Sequence, residues 1–446
     1  MCLTLPVRPL RAALVAMVVL AGSLPPAAAR TVPLSAATAQ TPTAALPTSL
    51  TFYGRGYGHG VGLSQYGARG RALAGQSTAT ILAHYYAGTT TGSVDAKTPI
   101  RVLVLSKKAA SAVAPFVLYG RARPWTIDGI DAEFPADARL TLRPTVTTTE
   151  TGTTVAWRLR IATATSVLLD QPVVHSFRVR TPTNGGRLEL ASKDSSFDLY
   201  RQVLRVFPSS SGPTVTVVNE TRLDLYLRGV VPAEMPSTWP AAALRAQAII
   251  ARSYAVRRLH PDSGSSDIGD DTRTQVYHGV LAERASTNAA VADTGGTVLK
   301  SGSSIANTLY HSTGGAGTEN NENVFVTASG DVVASPVSYL RGSSDRAANG
   351  TSFDAASPFA SWHTATYTVA QISSWLATDS RTKVGTLSAI DLSDRGVSGR
   401  LISVTLVGST GTRKVSADVF RSVFNANRPA ADPSLRSTLF DLKPIP

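Results

Sequence analysis

The sequence is poor in cysteine, in metal-ligand motifs and in long hydrophobic runs. Its 446 residues include one cysteine, Cys2, so a chain that loses its N-terminus on export has no disulfide, thiol nucleophile or thiolate metal ligand. Its 7 histidines form no H-E-x-x-H motif, which argues against a zinc peptidase. The apolar run near the N-terminus, residues 12–24, is shorter than the roughly 20 residues that a membrane span requires.

That N-terminal run has the features of a secretory signal instead. Arg8 and Arg11 precede it, and small residues ending in Ala29 follow it. We therefore predict a signal peptide over residues 1–29, a flexible linker rich in Ala, Thr and Pro over residues 30–49, and a secreted protein associated with the cell wall. An uncleaved membrane anchor is the alternative interpretation of residues 1–29.

Acidic residues are also scarce. The chain has 30 Asp and Glu against 43 Lys and Arg, a formal charge of +13, which becomes +11 when Arg8 and Arg11 leave with the signal. Outside the cell, such a charge suits an anionic surface such as a cell-wall polymer better than a nucleic acid, and a role in solubility alone is the alternative. The composition indicates no oligomeric state.

Three regions of different composition follow the linker. Residues 50–95 are dense in glycine and tyrosine and predict a tight loop followed by one or two short helices. Residues 96–218 show mostly strand patterns, and residues 219–446 combine helices, chiefly one that starts at Pro240, with further strands. Because the strands cluster instead of alternating with helices, we predict an α+β fold with mixed, mostly antiparallel strands and a helical catalytic segment.

Glu234 is the first candidate functional residue. It is the one acid in the stretch GVVPAEMPSTWP, where valines, prolines, Met235 and Trp239 surround it. Desolvation by such neighbours raises the pKa of a carboxyl group toward the range that suits a general acid. The alternative is a solvated glutamate in front of a helix N-terminus, where negative charge is favoured.

Three polar residues on the helix after Pro240 are further candidates. Arg245 and Arg252 are seven positions apart and share a face of the helix, whereas Gln247 lies off that face. If Glu234 folds back along this helix, Arg252 reaches a bound ligand. Two solvated arginines are the alternative.

A glycine-rich stretch, YGRGYGHGVGLSQYGA, supplies another set. Its six glycines allow the backbone to approach a ligand closely, and His59, Ser64 and Gln65 add polar groups suited to a sugar polymer. The stretch lacks the Lys-Ser/Thr pair of a phosphate-binding loop. A structural turn with packed aromatic residues is the alternative.

The stretch LYHSTGGAGTEN places Tyr310, His311 and Ser312 at the end of a predicted strand. A serine hydrolase is one interpretation, but neither Ser312 nor Ser64 lies in the G-x-S-x-G motif of a nucleophile elbow. For metals, the stretch DIGDDTRTQVYHG offers acidic residues and one histidine without a ligand spacing, and it reads as a solvated acidic loop. We predict no metal and no cofactor.

Four blocks together resemble a known family. They are YLRGVVPAEMPSTWPAAALRAQAIIARSYAV, QVYHG, YHSTGGAGTEN and GRGYGHGVGLSQYGARGRALAGQSTATILAHYYAGT. They are similar to the stage II sporulation protein D and amidase-enhancer (SpoIID/LytB) family, over roughly residues 50–446. The resemblance implies a peptidoglycan lytic transglycosylase that cleaves glycan strands freed of stem peptides, in wall remodelling or sporulation.

The resemblance also assigns roles to residues. It implies that Glu234, in the E-M-P motif, is the catalytic acid. It further implies substrate contacts from the residues that match the other motifs, namely Arg245, Gln247, Arg252, Tyr310, His311, Ser312, His59, Ser64 and Gln65.

This sequence departs from the family pattern in two respects. Members that bind zinc carry cysteines just before the Q-V-Y segment, and their absence here leads us to expect no zinc. The G-H-G block usually closes the domain but here opens it, which indicates a circular permutation. We therefore predict that residues 50–53 lie beside residues 438–441 and complete one cleft.

A second function from another class is compatible with the same resemblance. A non-catalytic wall-binding protein that stimulates an N-acetylmuramoyl-L-alanine amidase would keep the glycine- and tyrosine-rich groove but would not need Glu234. A hydrolase that uses Ser64 or Ser312 would need a serine and not Glu234.

Overall fold

The long strands of residues 96–222 bury every second side chain, as a sheet with one face on a core requires. In the computed structural model, which describes residues 46–445, the strand Gly152–Ala162 buries Val155, Trp157, Leu159 and Ile161. The predicted signal peptide and most of the predicted linker lie outside the described residues.

The described chain contains eight α-helices and one 3₁₀ turn, Gly279–Ala282. The helices are α1 Gln65–Leu73, α2 Thr78–Tyr85, α3 Leu223–Glu234, α4 Ala241–Val256, α5 Ala285–Asp293, α6 Asn321–Val324, α7 Val369–Leu376 and α8 Ala417–Asn427. After the glycine loop, where one or two short helices were predicted, the structure has two, α1 and α2, and the predicted long helix after Pro240 is α4.

The strands of the described residues, in chain order, are β1 Ser49–Leu50, β2 Tyr53–Gly54, β3 Leu63–Ser64, β4 Thr90–Ser93, β5 Pro99–Ala109, β6 Phe116–Arg121, β7 Trp125–Ile127, β8 Glu133–Phe134, β9 Arg139–Thr149, β10 Gly152–Ala162, β11 Val167–Val173, β12 Phe177–Arg180, β13 Arg187–Glu189, β14 Leu199–Tyr200, β15 Val203–Pro208, β16 Thr214–Arg222, β17 Ile268–Gly269, β18 Thr297–Ser301, β19 Ser304–Ile305, β20 Tyr310–His311, β21 Trp362–His363, β22 Tyr367–Thr368, β23 Leu387–Asp391, β24 Ser403–Gly408, β25 Gly411–Ser416 and β26 Phe440–Asp441.

Two large sheets form most of the β-structure. One has the order β17-β5-β16-β15-β12-β7-β8 and the other β11-β10-β9-β6-β13-β14. Within them, only the β17–β5 pair is parallel. The predicted α+β class with mostly antiparallel strands is therefore confirmed.

Three hydrophobic clusters hold these elements together. The largest joins the inward side chains of both large sheets to α3 and α4. A second lies around α7, α8 and the β23-β24-β25 sheet, and a third joins α1 and α2 to the start of α4. Met235, directly after Glu234, is fully buried in the third cluster, so the end of α3 is fixed where α1, α2 and α4 meet.

Strand β2 pairs with β26, a strand close to the last described residue. In an antiparallel ladder, β2 lies between β21 and β26, with Tyr53 opposite Asp441 and Gly54 opposite Phe440. The expected neighbourhood of residues 50–53 and 438–441 is confirmed at Tyr53, whereas Leu50 pairs with Tyr367. The circular permutation itself stays a prediction.

Candidate functional site

Helix α3 places Glu234 at its last position. Its buried residues Leu223, Tyr226, Leu227, Val230 and Val231 follow the spacing of an amphipathic helix and face the largest core cluster. Glu234 therefore lies in the C-terminal turn of a helix and not directly in front of a helix N-terminus, as the alternative interpretation required. Negative charge is disfavoured at this end of a helix dipole.

A close backbone approach brings a second segment to Glu234. A Cβ at Gly229 of α3 would lie 2.6 Å from the Tyr277 ring and 2.8 Å from the Gly279 carbonyl, so only glycine fits there. With Tyr277 packed against α3, the N–H of Val276 donates a hydrogen bond to Glu234 Oε1 at 2.9 Å. The Q-V-Y segment thus holds the carboxyl group in place.

The Glu234 carboxyl group is partly removed from water but accepts hydrogen bonds from neighbouring groups. Gln65 Nε2 lies 3.4 Å from its Oε2, and the Tyr310 hydroxyl also donates to it. Burial raises the pKa of Glu234 above its ordinary value, while the bonds from Val276, Tyr310 and Gln65 oppose that rise. The group can therefore hold a proton at a higher pH than an exposed glutamate and still has donors ready for its charged form.

Behind Tyr310, a directional chain of hydrogen bonds fixes the donor. Tyr226 donates to Gln275 Oε1 at 3.1 Å, and Gln275 Nε2 donates to the Tyr310 oxygen at 3.2 Å. Because Gln275 supplies a proton to the Tyr310 oxygen, the hydroxyl proton of Tyr310 is left to point at Glu234. Gln275 is fully buried, so this orientation is protected from water.

The Tyr310→Phe variant should raise the pKa of Glu234 further, because the lost hydrogen bond stabilises the ionised carboxylate. An NMR pH titration of the Glu234 carboxyl carbon, assigned with Glu234→Gln, measures this shift. Tyr254→Phe is the matched control, since it removes another hydroxyl from the same cavity and should change the pKa less. An unchanged or lower pKa in Tyr310→Phe would contradict the hydrogen-bond chain.

The glycine loop, residues 54–62, is held beside Tyr310 by a short parallel ladder. Leu63 pairs with Tyr310 and Ser64 with His311. Gly62 has a φ of +70°, and a Cβ there would lie 2.0 Å from the Leu309 carbonyl, so the loop requires glycine at this point. The ladder places Gln65 at Glu234.

His59 and His311 are neutral members of this loop region. Their rings lie 5.4 Å apart, and burial together with the nearby Arg400 lowers the pKa of His59 to about 4 and that of His311 well below its ordinary value. The Val61 N–H donates to His59 Nδ1 at 3.0 Å, while His311 Nε2 is buried without a partner in the described chain. At neutral pH neither ring supplies a proton as a cation.

These groups line one cavity of about 510 Å³, here called the Glu234 cavity. Six of the ten residues predicted from sequence line it, namely His59, Gln65, Glu234, Tyr310, His311 and Ser312. Size alone does not distinguish it, because a cavity of about 600 Å³ lies beside Arg395 and Asp441. A partly buried carboxyl group with a raised pKa does distinguish it.

The other four predicted residues do not reach the Glu234 cavity. Arg245 is half-exposed and paired with Asp293, and Gln247 is fully buried with neither amide atom bonded within residues 46–445. Arg252 is also fully buried, and its guanidinium group binds Asp224 at 3.0 Å. The idea that Arg252 reaches a ligand is therefore wrong, because α4 directs it into the core.

Ser64 has a structural role as well. It is fully buried, and its hydroxyl caps α1 by accepting the Gly67 N–H at 3.1 Å and also accepts the Gly314 N–H at 3.0 Å. An oxygen with these two bonds and no exposure does not attack a substrate. Ser312 is half-buried, and its hydroxyl lies 3.3 Å from that of Thr313.

The acidic loop is tied down by ion pairs. Asp267 binds Arg101 at 2.7 Å and Asp270 binds Lys193 at 2.5 Å.

Across residues 46–445, no cluster of three or more His, Cys, Asp or Glu side chains has the closeness that a metal ion needs. Within the same residues, no helix has the length and apolar character needed to cross a membrane.

Sequence reasoning missed several residues of the site. Gln275 and the Val276 N–H lie in the Q-V-Y-H-G block, whose sequence alone assigns no role to either group. Tyr254 and Phe325 also line the cavity. Only the fold brings these two side chains to Glu234. Tyr254 lies near the far end of α4, and Phe325 directly follows α6, much further along the chain.

Comparison with known proteins places part of this site, including Glu234, in a segment that matches a family model. Residues 211–300, from β16 to β18, match the family model described as Stage II sporulation protein, SpoIID. The chain is 28% identical over 183 residues to the amidase enhancer of Bacillus subtilis, covering 39% of this chain and 25% of that protein. It is 34% identical over 117 residues to an uncharacterized protein of Brachyspira hyodysenteriae, covering 26% of this chain and 32% of that protein.

The chain thus spans between a quarter and a third of the length of these curated relatives. The matched segment contains Glu234, α3, α4 and the Q-V-Y segment, which build one wall of the Glu234 cavity. Residues 211–300 of the chain are thus similar to the SpoIID family, in agreement with the resemblance of its motifs.

Proposed function

We propose that this protein acts on the bacterial cell wall as a lytic transglycosylase, with Glu234 as its single catalytic acid and base. The observation that carries the proposal is the partly buried Glu234 carboxyl group, whose pKa is raised and which faces a cavity of about 510 Å³. A general acid needs such a pKa to hold its proton near neutral pH.

The chemistry requires one carboxyl group to act twice. Protonated Glu234 donates its proton to the glycosidic oxygen as the bond from that oxygen to C1 of the muramyl residue breaks. The resulting carboxylate then takes the proton of the C6 hydroxyl of the same residue while that oxygen bonds to C1. The product is a 1,6-anhydro end, no water is consumed, and Glu234 is protonated again.

The lining of the cavity favours this route over hydrolysis. Hydrolytic glycosidases usually place two carboxyl groups across the cleaved bond. Among the described residues that line the cavity, Glu234 is the one carboxylic acid. His59 and His311 are neutral at pH 7, so neither ring supplies the negative charge that a second carboxylate would place beside the cleaved bond.

Most of the remaining groups of the cavity suit an uncharged sugar chain, and Arg273, a cation in its lining, is paired with Asp271 at 2.6 Å. Ser312 and Thr274 offer hydroxyl groups, Gln65 offers an amide, and Tyr57 and Tyr254 offer ring faces. During the reaction, the Tyr310 hydroxyl would stabilise Glu234 when it is ionised, since the fixed donor needs no reorganisation. Glycan strands freed of stem peptides are the substrate that we propose.

The proposed setting is the cell wall outside the membrane. The signal-like residues 1–29 would direct export, and the net charge of +11 that remains after their removal would attract the chain to anionic wall polymers. Neither inference requires a cofactor or a nucleic acid.

Product analysis tests the proposal. The protein and its Glu234→Gln variant are incubated with glycan strands denuded by an amidase, and the new ends are identified by mass spectrometry. We expect 1,6-anhydromuramyl ends from the protein and few from the variant. Ends that carry an added water, or equal yields from both proteins, would overturn the proposed reaction.

A second function is supported by the similarity to the amidase enhancer of Bacillus subtilis. In that case the protein binds the wall and stimulates an amidase without cutting glycan. Intact peptidoglycan, a wall amidase and either form of the protein would then release stem peptides faster than the amidase alone. Equal stimulation by the Glu234→Gln variant, with no anhydro ends from either form, would favour this function.

A further inference from the structure

A second cavity, of about 650 Å³, adjoins the Glu234 cavity. It lies between residues 323–328, Ile402 and the start of α8. Gly58, His59 and Phe325 line both cavities, so the two meet at these residues. Each volume lies within the range of about 300–1,000 Å³ that is common for ligand sites.

Aromatic rings lead from one cavity to the other. The rings of His311 and His59 lie 5.4 Å apart, and those of His59 and Phe325 lie 6.2 Å apart. Phe325 is 44% exposed at the junction, although a large apolar ring is normally buried. An aromatic face open to a cleft offers apolar area that the C–H face of a sugar ring can cover.

The polar groups of the second cavity carry no net charge. Asp418 and Arg421 of α8 form an ion pair at 2.6 Å, and Asn323, Thr327 and Thr438 are uncharged. A neutral lining with hydroxyl and amide groups matches N-acetylated sugars. It would give little attraction to a nucleic acid or another strongly charged polymer.

We infer that the second cavity binds the same glycan strand beyond the bond that Glu234 cleaves, with Phe325 as the stacking platform at the junction. The inference rests on the proposed function for the identity of the ligand. On this inference, residues 323–328 and α8 select long strands over short ones. Both segments lie outside the matched residues 211–300.

Binding measurements on strands of increasing length test this inference. All binding measurements use protein that carries Glu234→Gln, so that the strands are not cleaved. Denuded glycan oligosaccharides are titrated into this protein and the affinity is measured by calorimetry. We expect affinity to rise with length until both cavities are filled. Phe325→Ala should weaken binding of the long strands by on the order of tenfold, a larger loss than for short strands, because only the long strands also occupy the second cavity.

Three further variants control for folding and for the ring itself. Phe325→Tyr keeps the ring and should bind long strands as the parent does. Ala328→Trp should fill the second cavity and also remove the preference for long strands, whereas Leu281→Ala removes an equally exposed apolar side chain elsewhere and should have no effect.

The outcomes separate the two proposals. If Phe325→Ala and Ala328→Trp bind long strands with the parent's affinity, the second cavity is not a glycan site, whatever Glu234 does. If length-dependent binding is lost in both variants but the unmutated protein forms no anhydro ends, the second cavity stands and the proposed reaction fails.

Discussion

Glu234→Gln should lower the rate of glycan cleavage at neutral pH by about 10²- to 10⁴-fold, the usual contribution of general acid–base catalysis. The glutamine has the shape of the protonated acid but neither gives its proton to the glycosidic oxygen nor removes one from the C6 hydroxyl. The rate at which anhydro ends form, followed by chromatography of denuded strands, measures the loss.

The same variant should fold as the parent does. A glutamine oxygen can still accept the hydrogen bond from the Val276 N–H. The uncharged amide also avoids the desolvation cost that burial imposes on the ionised carboxylate. Its thermal unfolding midpoint should therefore lie close to that of the parent, because the loss of the bonds from Gln65 and Tyr310 to the carboxylate opposes the gain from removing the partly buried charge. Glu133→Gln, at an exposed position in a two-residue strand, is the matched control and should keep full activity. A cleavage rate in Glu234→Gln equal to that of this control would remove Glu234 from the chemistry.

The pH profile follows from the raised pKa of Glu234. Cleavage needs the protonated acid, so kcat/KM should fall as the pH rises through the pKa of Glu234. In Tyr310→Phe this fall should occur at a higher pH, because the pKa of Glu234 is raised further. The folded state also binds this proton more tightly than the unfolded chain does. The stability that Glu234 contributes is therefore present below its unfolded pKa and is lost as pH rises to the folded one.

Local sequence predicted the parts of the site that depend on neighbours in the chain. The apolar residues on either side of Glu234 predict its desolvation. The glycines of residues 54–62 predict a backbone that approaches other segments closely. The pairing of Tyr53 with Asp441 followed from the motif order. Each of these features is set by a few adjacent residues or by a recognised motif.

The parts that sequence did not predict depend on which distant segment covers a side chain. Arg245 and Arg252 share one face of α4, yet Arg245 is half-exposed and Arg252 is fully buried. The difference arises because the residues that bond to Arg252, Asp224 and Val291, belong to α3 and α5, which helical spacing does not reveal. The position of Phe325 between two cavities has the same origin.

Arg252→Ala should lower the free energy of unfolding by about 3–5 kcal/mol, which is typical when one partner of a buried ion pair is removed. The change leaves the Asp224 carboxylate without its cation and leaves the Val291 and Thr297 carbonyls without the donors that Arg252 supplied. Urea unfolding followed by circular dichroism measures the effect.

Arg245→Ala is the control within the same helix. Arg245 and Asp293 are each more than 40% exposed, and such surface pairs contribute about 0–1 kcal/mol. If both variants unfold like the parent but Arg252→Ala shows a raised KM for glycan, Arg252 contacts substrate and the structural role is wrong. If only Arg252→Ala is destabilised, the arginine acts by joining α4 to α3 and α5, and it affects catalysis only by keeping the C-terminal turn of α3, with Glu234, in place.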